Sequence, residues 1–165
     1  MLSDKALSLF FVLLLSNFSL STAQHGVCRI TSRPSQQTCL ATDPTTFTIN
    51  DFTTFEPSEG NPTPASVSFR FYDDDNALTA QCFSNDSLAD TSSSVTSESP
   101  KVSFTYVENN LKITENYTSC VNVNSTEVEG LLELATNCYL NYPPSPLGNG
   151  IKCITPTGKL SGSFV

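Results

Sequence analysis

His25 is the only histidine in this 165-residue chain. A Ser-His-Asp or Cys-His relay has no other imidazole to use. It falls at the expected start of the processed chain, on a tail ahead of the first strand, a poor place for a catalytic base. A copper site built on an N-terminal histidine needs a second histidine, and there is none. Paired carboxylates are the remaining chemistry. Glycoside hydrolysis needs one acid of raised pKa and a second carboxylate. Glu115 is the one acidic residue that alternation places on an apolar face, between Ile113 and Tyr117. The expectation is that a bulge turns it outward, or that a tyrosine or backbone group satisfies it. Asp73-Asp74-Asp75-Asn76 follows a strand and clusters oxygens that suit Ca²⁺. The spacing is not that of an EF-hand loop, because Ala77 takes a ligand position, so an acidic turn is expected. No residue is assigned a catalytic or metal-binding role, and no cofactor is expected.

The elements around these residues read as short strands. Thr46–Asn50 and Ser66–Phe71 alternate apolar and polar residues, with Phe47, Ile49, Val67, Phe69 and Phe71 on inner faces. Val102–Tyr117 reads as a hairpin turning at Asn109-Asn110, since Asn tolerates the left-handed conformation. That turn sets Tyr106 against Ile113 and Val102 against Tyr117, and puts Glu115 opposite Phe104. Val121 and Val123 are expected to begin another strand. Leu132, Leu134, Thr136, Cys138 and Leu140 suit the inner face of a longer one, with a short helix at 128–135 as the competing reading. Strands at Ile151–Ile154 and Leu160–Val165 close the chain. The expected fold is all-β, an antiparallel barrel or sandwich of about eight to ten short strands. Three Pro- or Ser-rich stretches, 56–64, 91–100 and 142–150, read as solvated connections.

Compartment follows from the N-terminal pattern and the cysteines. Lys5 precedes the apolar run Ala6–Leu15, and Ser21-Thr22-Ala23 supplies the small residues of a cleavage site. Residues 1–23 are therefore expected to be a secretory signal, and residues 24–165 a single secreted, extracellular β-domain. Six cysteines, Cys28, Cys39, Cys82, Cys120, Cys138 and Cys153, read as disulfides, because no close pair suits zinc. Spacing cannot choose among the pairings. Local pairing is the expectation: Cys28–Cys39, Cys82–Cys120 and Cys138–Cys153. One pair split between two chains is the alternative. Sequons at Asn85, Asn116 and Asn124 are candidate glycosylation sites. The net charge of −8 argues against nucleic acid and anionic membranes as partners.

The order of elements carries a resemblance. An early cysteine, then Thr46–Phe52, then Ser66–Phe71, then Cys82, and finally Cys138 and Cys153 before a terminal strand is similar to the Alt a 1-like (AA1-like) family of small secreted fungal proteins. The resemblance covers most of residues 24–165 and rests on spacing and strand character. It implies a compact disulfide-held β-barrel without enzymatic activity, effector- or allergen-like. It also implies a host extracellular protein or small phenolic ligand as partner, and dimerisation through an early cysteine, at Cys28 or Cys39. The sequons and the Ser-rich loop depart from the pattern, and no ligand-binding residue carries over. The function expected is non-catalytic binding outside the cell. The alternatives are a carboxylate-based hydrolase of cell-wall glycans and a structural wall glycoprotein.

Overall fold

The computed structural model describes residues 23–33, 39–84, 101–121 and 124–165. Among these residues there are ten strands and no helix. They are β1 (Gln24–Ser32), β2 (Thr46–Pro57), β3 (Ser66–Asp73), β4 (Leu78–Phe83), β5 (Lys101–Val107), β6 (Asn110–Thr118), β7 (Ser125–Glu133), β8 (Asn137–Asn141), β9 (Gly150–Ile154) and β10 (Lys159–Ser163). All ladders are antiparallel, in the order β7-β6-β5-β1-β4-β3-β2-β9-β8, with β10 also on β2. The all-β expectation is met. The signal segment, Asn85, Val123 and the Ser-rich loop lie outside the described residues.

β2 explains the branching. Its first half, Thr46–Asn50, pairs with β10, and its second half, Thr53–Pro57, pairs with β9. Between them Asp51 adopts φ 57°, and the register against β3 slips. Such a bulge bends a strand and adds twist. The sheet therefore curls on the β10 side into a half-barrel, while β9 and β8 leave it as a flap. The curl is tight enough for β7 to touch β10: Gly130 bridges Phe164, and Val165 N–H donates to Glu129 C=O at 2.9 Å. Phe47 lies between Gly130 and Gly162 at this seam, where a Cβ on either would enter its ring.

Alternation fills the interior. Phe47, Ile49 and Phe52 from β2, Val67, Phe69 and Phe71 from β3, and Phe104, Leu111 and Ile113 from the β5–β6 hairpin share one core. A tilted pair, Phe47–Phe164 (4.8 Å), and an edge-to-face pair, Phe69–Phe104 (4.9 Å), are among the ring contacts of this core.

Several local expectations are corrected. The hairpin turns at Glu108-Asn109, both at positive φ, so Phe104 faces Ile113, Tyr106 faces Leu111, and Glu115 faces Val102. Moving a turn by one residue shifts the pairing by two and leaves every side chain on its original face. The match of apolar faces therefore could not distinguish the two registers. Val121 is exposed and outside any strand. Residues 128–133 are strand, not helix, because they complete the ladder on β6. The chain breaks at 134–136, so Cys138 and Leu140 belong to the flap and not to the inner wall. His25 lies within β1, opposite Thr105, with its Nδ1 3.1 Å from Thr105 Oγ1.

Two disulfides also differ from the local pairing. Cys28 bonds Cys82, Cys39 bonds Cys120, and only Cys138–Cys153 is as expected. Cys28 and Cys82 are directly opposed on neighbouring β1 and β4, a proximity made by strand order. All six cysteines are bonded within the chain.

Candidate functional site

The segment Cys39–Thr45 forms a strap across one end of the half-barrel. Its inner anchor is Leu40, whose N–H donates to Thr118 C=O at 2.8 Å, while Cys120 N–H donates to Leu40 C=O at 2.9 Å. The Cys39–Cys120 disulfide clamps the same point. On its other side the strap is tied to the β3–β4 turn. The Asp75 carboxylate accepts from the N–H groups of Thr45 (2.7 Å) and Thr46 (2.8 Å). Those bonds favour the ionised form and hold the Asp75 carboxyl below its ordinary pKa. Asn76 exchanges hydrogen bonds with the Thr42 backbone. A cavity of about 220 Å³ lies under this lacing, lined among others by Arg33, Leu40, Thr42, Asn76 and Leu78.

The acidic run is a turn, as expected, and its carboxylates hold it. Asp73 accepts from the N–H groups of Asp75 (2.9 Å) and Asn76 (3.1 Å), and Asp74 accepts from Thr48 Oγ1 at 2.7 Å. The run Val67-Phe69-Phe71-Asp73 puts Asp73 on the inner face by simple parity, a signal the composition of the turn had masked. Asp73 is fully buried.

Glu115 departs from expectation. No bulge turns it outward. It faces the interior, has no exposed surface, and neither carboxyl oxygen has a hydrogen-bond partner among the described residues. Val102 and Val128 flank it on β5 and β7. Burial, and then the nearby charge of Asp73, push its pKa from 4.5 up to about 8. Burial raises the Asp73 carboxyl too, against its turn hydrogen bonds. The two residues thus form a buried pair, with Glu115 protonated at neutral pH. The pair has the electrostatics of a general acid beside a second carboxylate. It lacks access, because a general acid has to come within hydrogen-bond reach of its substrate.

The flap has the opposite character. Cys138 faces Cys153 and Leu140 faces Ile151, so these four side chains share one face, while Tyr139 and Lys152 share the other. Its base is rigid. Asn61 Nδ2 donates to the carbonyls of Leu147 (2.8 Å) and Asn149 (2.6 Å), lacing two of the Pro-rich connections together. Phe55 is buried there, outside the main core, in room left by Gly150. Above this base Tyr139, Leu140, Tyr142, Ile151 and Ile154 are all exposed. Sequence reasoning missed this surface because Cys138 and Leu140 had been given to an inner wall. The legible signal was the unbroken Cys-Tyr-Leu run, which does not alternate.

Of the sequons, Asn124 is exposed, just before β7. Asn116 points outward from β6, half-buried, with its Nδ2 donating to Glu127 at 2.8 Å.

No family model, curated protein or solved structure matches this chain.

Proposed function

We propose that this is a secreted, non-catalytic protein that binds a partner outside the cell, a host protein or a small ligand, and that the flap is its binding face. The observation that carries this reading is a stapled hairpin with exposed apolar side chains on both faces, Leu140 and Ile151 on one and Tyr139 and Ile154 on the other. Water contact with apolar side chains is unfavourable, and Leu140 and Ile151, directly opposed on one face, are the adjacent exposed pair a partner would cover. Three disulfides in an all-β chain are compatible with an oxidising, extracellular setting. The resemblance to Alt a 1-like proteins points the same way on spacing and strand character alone.

The test is affinity capture from host extracellular fluid and wall polysaccharides by the oxidised protein, beside a Leu140→Lys/Ile151→Lys variant. Retention by the native flap and its loss in the variant, with unchanged circular dichroism, is the expected result. Equal retention by both would remove the flap from the reading. The hydrolase alternative has the raised pKa of Glu115 in its favour and the burial of that residue against it. Any glycan-cleaving activity that survives Glu115→Gln would sink that assignment.

A further inference from the structure

The outer edge of β8 is a second feature of the flap, distinct from its apolar faces. The Cα atoms of Cys138 and Cys153 are 4.0 Å apart. In an antiparallel ladder that short separation marks a pair that does not exchange hydrogen bonds. The N–H and C=O of Cys138 therefore point away from β9, and two residues on, so do those of Leu140. Among the described residues no strand pairs with that side of β8.

Open edges of this kind are usually blunted by charge, proline or a covering segment. The opposite end of the sheet follows the rule: β7 carries Glu127, Glu129 and Glu133, and Phe164 and Val165 lie on it. β8 does not. Its sequence, Asn137-Cys138-Tyr139-Leu140-Asn141, has no charge and no proline. In a chain of net charge −8, most faces resist approach by another copy. An uncharged edge strand is where that resistance is least.

We infer that the β8 edge pairs antiparallel with the β8 edge of a second copy of this chain, about a two-fold axis through Tyr139. The register is self-complementary. With the axis at Tyr139, Cys138 of each copy faces Leu140 of the other. These are the two residues whose backbone groups point outward, so the pairing closes four hydrogen bonds. Such an isologous contact stops at the dimer. It leaves the flap faces open and brings the Leu140 and Ile151 side chains of both copies onto one surface. Neither copy needs an intermolecular disulfide, consistent with all six cysteines being bonded internally.

The experiment is sedimentation equilibrium on the oxidised protein over a range of concentrations, with circular dichroism to confirm folding. The native chain is expected at twice the monomer mass. Leu140→Pro removes an edge N–H that β9 does not use, so it is expected to fold and sediment as a monomer. Tyr139→Lys and Tyr139→Glu each place like charges on the axis and are expected to be monomers, while their equimolar mixture returns to the dimer. A native chain that stays monomeric at every concentration overturns the inference, as does one that shifts only when a foreign strand-forming peptide is added. Dimers that persist in folded Leu140→Pro assign the contact to another face. Captured host partner with a monomeric native chain would defeat this inference alone and leave the binding reading standing.

Discussion

Replacing Glu115 by Gln tests the buried carboxylate pair through stability. In the folded chain Glu115 holds its proton to about pH 8, against an ordinary value of 4.5. The unfolded chain gives up that proton at much lower pH. Between the two values the folded state binds more protons, so stability falls as pH rises. The contribution is complete below about pH 4.5 and gone above about pH 8. Each pH unit in that window removes about 1.4 kcal/mol, for a total of about 5 kcal/mol. In a domain of this size that is a fall in Tm of about 10–20 °C. Asp73 acts in the same direction, because its carboxyl is also raised by burial. Glutamine copies the neutral acid in size and polarity. Glu115→Gln is therefore expected to match the native chain near pH 4.5 and to exceed it at pH 8. Calorimetry from pH 4 to 9 on both proteins reads this directly. A native Tm that stays flat from pH 5 to 8, or a variant with the same slope as the native chain, would refute the burial of an unpartnered carboxyl.

Other consequences follow from the same packing. Gly130→Ala drives a Cβ into the Phe47 ring at the seam and is expected to cost about 1–3 kcal/mol in urea unfolding. Cys39 and Cys120 are 81 residues apart and Cys138 and Cys153 only 15. On chain entropy, removing the first bond costs about 4–5 kcal/mol and removing the second about 3 kcal/mol, an order that denaturation of the two double-serine variants checks. When the protein is made in a glycosylating secretory host, peptide mass mapping is expected to find glycan at Asn124, where the side chain is free of the contact that holds Asn116 to Glu127.

The buried pair and the flap divide the molecule's chemistry. The pair spends its carboxylates inside the fold, where Asp73 builds the turn to which the strap is tied. The raised carboxyls of Glu115 and Asp73 favour the folded chain as pH falls toward the mildly acidic range, while the lowered Asp75 carboxyl acts the other way. The flap places apolar side chains and an unpaired edge where another molecule can reach them. The clamp at Cys138–Cys153 limits how far that surface can unfold on its own.

Much of this was legible in the chain. Period-two alternation in Thr46–Asn50, Ser66–Phe71 and the β5–β6 hairpin named the strands and the side chains of the core, because a pleated strand sends alternate residues to opposite faces. The same parity put Glu115 inside, and the expected escape by a bulge did not occur. Six cysteines and no close pair were enough to expect disulfides, and the structure bonds all six. What alternation cannot carry is the identity of a strand's neighbour. The Cys28–Cys82 bond exists because β4 lies beside β1, and the Cys39–Cys120 bond because the strap returns to the end of β6. The hairpin register was hidden for the related reason that a two-residue slip preserves faces. The fate of β8 was decided by the bulge at Asp51, which gives the two halves of β2 different partners and leaves β8 outside the barrel. Side-chain pattern is a local property of the chain; strand order, register and the branching of a sheet are settled only when distant segments compete for the same hydrogen bonds.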